Sequence, residues 1–152
     1  MEAKALLDMQ NIISEQLIID FGYHEEIFNA YRVQHNHLEK IWISGVKLPY
    51  LPESIGNLKH LRTLDLSGGG IDFLPTSFGN LKNLKVLDLS GCNLTTLPKS
   101  FENLQKLQKL YLRGNCFDST PKLIFKLKSL KYFDVYDIDQ LDFPAYNKKR
   151  EK

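Results

Sequence analysis

Between Leu61 and Lys106 the chain gives one pattern twice. Leu61–Asn83 and Leu84–Lys106 align without a gap and are identical at more than half of their positions. The period runs outward in both directions, with Leu38, Leu61, Leu84, Leu107 and Leu130 each opening a unit at the same interval. A unit of that size cannot bury an apolar face by itself and must lean on its copies. A fixed period in the twenties therefore points to a solenoid, a stack in which each unit touches its neighbours.

Counting from the opening Leu as zero, each unit places apolar residues at fixed offsets. Ile41, Leu64, Leu87, Leu110 and Phe133 stand at three, and Ile43, Leu66, Leu89, Leu112 and Val135 at five. Alternate residues of a strand share a face, so this pair predicts a short strand with one buried side. One such strand per unit, stacked on its copies, gives a parallel sheet. Leu48, Ile71, Leu94 and Phe117 follow at offset ten, and Pro52, Pro75, Pro98 and Pro121 at fourteen. Pro disfavours further strand. The apolar pair at seventeen and twenty (Phe78 and Leu81, for example) then predicts a single helical or 3₁₀ turn in the crossover. Crossovers between parallel strands are right-handed almost without exception.

These offsets, L-x-x-L-x-L followed by Leu-Pro-x-x-(Ile/Phe)-x-x-Leu, resemble the leucine-rich repeat family, and the 23-residue length looks most like its Ras-suppressor type. The resemblance covers four complete units, residues 38–129, or 92 of 152 residues. It implies a right-handed α/β solenoid with a parallel sheet on the concave face and short helical or 3₁₀ turns on the convex face. It also implies an intracellular protein-binding role. At offset eight the family places Asn or Cys to bond the neighbouring turn. Here only Cys92 and Asn115 match, against Val46, Gly69 and Ile138. Slacker turns are expected in the first two units, the more so beside Gly68-Gly69-Gly70.

Residues 1–37 read as an N-terminal cap. A helix with one apolar stripe (Leu6, Leu7, Ile13, Leu17) covers the open end of the stack. Two short strands about His35-Asn36 lead into the first unit. Residues 130–152 read as a fifth strand, a segment around Phe143-Pro-Ala-Tyr146 folding back over the other end, and a basic tail with Lys148-Lys149-Arg150. Leu123 and Phe125 are extra apolar residues in the fourth crossover, either buried against that segment or exposed. The whole chain reads as one domain.

Net charge of +2 gives no general case for nucleic acid or a membrane surface. No apolar run is long enough to span a bilayer, and the N-terminus lacks the apolar core of a secretory signal. Cys92 and Cys116 make no disulfide framework, so a reducing, cytoplasmic setting is expected. The Asn93-Leu-Thr95 sequon is then expected to stay bare. His35-x-His37 is at most half a metal site, and His24 and His60 stand isolated in the sequence. Phosphate-loop, dinucleotide, zinc-protease and nucleophile-elbow motifs are all absent, so no enzyme, cofactor or small-molecule substrate is expected.

Function is expected on the sheet face turned away from the core, at offsets two, four and six. The middle units place small or acidic groups there, with Asp65 and Asp88 among them. The ends are aromatic: Trp42 on one side and Tyr111, Arg113, Tyr132, Asp134 and Tyr136 on the other. Trp, Tyr and Arg are the residues enriched in binding hot spots. These eight residues are the candidate contacts for a protein or peptide partner of a monomeric module. A regulator of a small GTPase and the recognition fragment of a larger receptor or ligase are alternatives. A nucleic-acid binder acting through the C-terminal lysines is a fourth.

Overall fold

The computed structural model describes residues 4, 7, 8, 31–34, 37–48 and 50–135. Six strands form one sheet in chain order: β1 (Tyr31–Gln34), β2 (His37–Trp42), β3 (Thr63–Asp65), β4 (Val86–Asp88), β5 (Lys109–Tyr111) and β6 (Tyr132–Asp134). The first pair is antiparallel, the hairpin about residues 35 and 36. All later pairs are parallel. Of the helix expected before the hairpin only Lys4, Leu7 and Asp8 are described; all three are helical, and Leu7 of the expected apolar stripe is exposed. The rest of that helix, the segment expected to fold over the far end and Ile138 lie outside the described residues.

The parallel register steps by one repeat per strand: Ile41, Leu64, Leu87, Leu110 and Phe133 lie side by side. The backbone ladder continues beyond the strands at both ends. At the entry Arg62 N–H donates to Glu39 O (2.7 Å), and Lys85, Gln108 and Lys131 repeat that bond to the preceding unit at 2.8 Å each. At the exit Gly45, Gly68 and Gly91 donate to Ser67 O, Ser90 O and Arg113 O at 2.6–2.7 Å. Gly45, Gly68, Gly91 and Gly114 have φ of 75, 70, 65 and 70°, a left-handed conformation that favours Gly. The slack expected in the first two units is therefore corrected. Their exit bonds are as short as those further on, and Leu48 N–H also donates to Gly69 O at 2.7 Å.

Offset eight does serve the neighbouring turn where its side chain allows. Asn115 Nδ2 donates to Leu89 O (2.7 Å), while its Oδ1 accepts from Leu94 N–H (2.9 Å). One unit earlier the buried Cys92 thiol points at the equivalent carbonyl, Leu66 O, at 3.5 Å. Burial is the main cause that pushes its pKa up, so Cys92 sits as a neutral donor.

Each crossover is a 3₁₀ turn: Glu53–Asn57, Thr76–Asn80, Lys99–Asn103 and Lys122–Lys126. The Pro before each has φ between −69 and −60°, which its ring fixes in advance. Its carbonyl accepts the first bond of the turn at 2.9–3.1 Å. Every turn drives its offset-seventeen residue into the core, where Ile55, Phe78, Phe101 and Ile124 are all fully buried. The rings of Phe78 and Phe101 run nearly parallel, 4° apart with centroids 6.2 Å apart. Gly56 and Gly79 let the first three turns approach closely. A Cβ on Gly56 would fall 2.6 Å from Ser77 O, and one on Gly79 would fall 2.6 Å from Ser100 Cβ. At the same offset the third turn has Glu102, reaching Lys126 (2.7 Å), and the fourth has Phe125. Phe125 is 48% exposed and packs edge-on against Phe133, while Leu123 is half-buried against the core.

Candidate functional site

The register carries five of the eight candidate residues into one row across the outer sheet face. Trp42 pairs with Asp65, Asp65 with Asp88, Asp88 with Tyr111 and Tyr111 with Asp134. The row beside it, two residues earlier, is Lys40, Thr63, Val86, Lys109 and Tyr132. Buried Leu or Ile at offset three, with Phe133 half-buried at the far end, separates the rows in sequence and forces both outward.

Two of the acids are also committed to the fold. Asp65 Oδ1 accepts from Ser67 N–H (2.9 Å) and Ser67 Oγ–H (2.7 Å), and Asp88 Oδ1 accepts from Ser90 N–H (2.9 Å). A carboxylate bonded two residues on is an Asx turn. It bends the chain out of the strand toward the left-handed Gly. Ser67 Oγ further bonds Ser44 Oγ at 2.7 Å. The middle of the face is thus small, polar and internally bonded.

The C-terminal end is built differently. Tyr111 and Tyr132 stand diagonally across β5 and β6 with ring centroids 5.3 Å apart and planes tilted by 48°. That separation suits favourable aromatic packing. Tyr132 is 47% exposed and Tyr111 half-buried. Asp134 Oδ2 lies 3.5 Å from the Tyr132 hydroxyl, and its negative charge is the main cause raising the phenol's pKa. Exposed Lys109 is the strand neighbour of Tyr132, and exposed Arg113 follows Tyr111 by two residues. Tyr136 lies outside the described residues. At the other end Trp42 is 38% exposed with Lys40 Nζ 5.6 Å from its ring centre, within cation–π range. Three strand spacings, roughly 14 Å, separate Trp42 from Tyr111.

Lys40 and Lys109 are not among the eight candidates, yet they share the aromatic face. Their signal is the offset, since two is as outward as four. The isolation expected of His60 is corrected as well. It stacks on His37 with centroids 3.6 Å apart, because both precede a unit's opening Leu and so become neighbours one strand apart. Among the described residues no three His, Cys, Asp or Glu side chains gather into a metal-binding group, and no helix is long and apolar enough to cross a membrane.

A family model described as a leucine-rich repeat region matches residues 28–147. Among curated proteins none matches significantly. Among solved structures, a leucine-rich repeat protein of Leptospira interrogans is 38% identical with a TM-score of 0.55, over 59% of this chain and 24% of its own. A plant peptide hormone receptor, RGFR1 in complex with RGF2, is 31% identical with a TM-score of 0.60, over 67% of this chain and 17% of its own. The BIR2 ectodomain from Arabidopsis thaliana shares the fold at 23% identity, with a TM-score of 0.63 over 86% of this chain and 73% of its own. The chain thus spans a quarter or less of the first two of these proteins. With the register, the 3₁₀ crossovers and the family model in agreement, the chain belongs to the leucine-rich repeat family.

Proposed function

We propose that the chain is a binding module rather than an enzyme, and that it holds a protein or peptide partner on the outer, concave face of the sheet. The observation that carries this reading is the Tyr111–Tyr132 pair, 5.3 Å apart and partly exposed between two cationic side chains. Large rings offer contact area at low entropic cost, and an Arg beside them stacks or takes a carboxylate. Asp134 supplies an acceptor at the rim. Trp42 and Lys40 form a second anchor about three strands away, a span that an extended segment of some four or five residues covers. Asp65 and Asp88 line the path between, each with a second carboxylate oxygen beyond its turn bond. A similar solved structure is a peptide hormone receptor, which adds support from the fold.

The free thiols of Cys92 and Cys116 support a reducing, cytoplasmic setting. The great length of the neighbouring proteins favours a second reading, in which this solenoid is the recognition segment of a larger receptor. Both readings use the same face. The test is a peptide-display selection against the folded chain, with selected peptides mapped by amide NMR shifts. Shifts centred on β5 and β6 are expected. Shifts centred on the 3₁₀ turns would overturn the assignment.

A further inference from the structure

The net charge of +2 hides a local gathering of cations. The entry to each parallel strand runs from two residues before a unit's opening Leu to two after it, where the strand has begun. Over the five units, with the opening Leu included, these are residues 36–40, 59–63, 82–86, 105–109 and 128–132. They hold nine Lys or Arg and one acid, Glu39, a net of +8. The rest of the chain holds the other eleven Lys or Arg and seventeen Asp or Glu, a net of −6. The opposite edge, where the strands leave the sheet, is mixed, with Asp72 and Asp118 beside Lys47 and Arg113.

Topology turns this bias into a continuous edge. Arg62, Lys85 and Lys131 lie on one backbone ladder, each bonded through N–H to the residue one unit earlier at 2.7–2.8 Å. Lys59, Lys82 and Lys128 form a parallel row three residues before them, and Lys40, Lys106 and Lys109 fill in between. All nine are exposed except Lys40, which is half-buried. Glu39 holds Arg62 at 3.4 Å. The strip is about 19 Å long, four strand spacings.

We infer that this edge docks the solenoid onto an anionic lipid surface. Eight of the nine cations are Lys, compact charges on flexible stems, which suit a diffuse array of headgroups. A nucleic-acid site uses a charged groove with stacking platforms or bidentate Arg. This strip is the side of a stack of strands, and its one Arg is engaged by Glu39. Among the described residues outside the strip, seven Lys or Arg stand against eight Asp or Glu, so no other part of them competes with the strip for an anionic surface. The expectation of no membrane contact rested on net charge, which sums over the whole chain and hides the strip.

The experiment is co-sedimentation of the whole chain with phosphatidylcholine vesicles, with and without phosphatidylserine, at low and at physiological salt. The edge variant carries Lys82→Glu, Lys85→Glu, Lys128→Glu and Lys131→Glu. A control with the same net charge carries Lys47→Glu, Lys99→Glu, Lys122→Glu and Lys149→Glu. Binding should require phosphatidylserine and weaken with salt. It should fall on the order of 100-fold or more in the edge variant and only a few-fold in the control. A Lys→Gln set at the four edge positions keeps the test if the Glu set fails to fold. Binding that ignores phosphatidylserine, or falls equally in edge and control variants, would overturn the proposal. So would a single-stranded oligonucleotide that binds the edge more tightly than the vesicles at the same salt.

Discussion

Leu87→Ala tests whether the register that places the functional face is right. Leu87 is fully buried in the central strand, between Leu64 and Leu110, which are equally buried. The substitution removes three carbons, about 2.4 kcal/mol of transfer free energy at about 0.8 per group. Leu64 and Leu110 are held by backbone ladders on both sides and cannot move in to fill the space. A residual cavity of about 60 Å³ then adds about 1.4 kcal/mol. The expected loss is about 4 kcal/mol. Lys85, two residues earlier in the same repeat, is exposed, and its Ala variant should change stability by less than about 0.5 kcal/mol. Urea unfolding followed by circular dichroism reads both. With an m-value near about 2 kcal/mol/M, Leu87→Ala should lower the midpoint by about 2 M. Equal midpoints for the two variants would refute the register, because a one-residue slip exchanges buried and exposed sides.

Gly79→Ala should cost about 2–3 kcal/mol by thermal melting, since its Cβ would meet Ser100; Glu102→Ala at the same offset one unit on, which loses only an exposed ion pair to Lys126, should shift the melt far less. In native protein Cys116, which is exposed, should react with a thiol reagent, while the buried, raised-pKa Cys92 reacts only on unfolding. Bonds from Ser77 and then Thr76 hold the Glu53 carboxyl below its ordinary 4.5. A depressed folded pKa contributes stability above the unfolded value that is lost as pH falls through the folded one. Glu53→Gln should therefore flatten the pH–stability curve below about pH 4.5 and leave its slope at neutral pH unchanged.

The repeat made most of the fold legible because one offset does one job in every unit. Leu at three and five faces inward, Pro at fourteen ends the extended segment, and the apolar residue at seventeen closes the turn. Contacts between units were harder to read. Asp65 and Asp88 look like solvated strand residues until the left-handed Gly68 and Gly91 beyond them show a turn to be closed. Gly56 and Gly79 look dispensable until Ser77 and Ser100 arrive from the next unit. His37 and His60 look isolated because a whole repeat of chain hides a distance of one strand. The charged edge was hidden for the same reason, since Lys82, Lys85, Lys128 and Lys131 gather only when the units stack. The Tyr111–Tyr132 pair was legible as two outward positions on neighbouring strands; its diagonal contact needed the register.

The most direct measurement is a calorimetric titration of one selected peptide against four single variants. Tyr111→Ala and Tyr132→Ala should each lose about 2 kcal/mol or more of binding, the usual hot-spot threshold, while their unfolding midpoints stay close to the parent's. Lys99→Ala and Lys122→Ala, in the 3₁₀ crossovers, should bind as the parent does. Full affinity in both tyrosine variants, with loss in the two lysine variants, would contradict the assignment and move the partner to the convex side, beside Phe125.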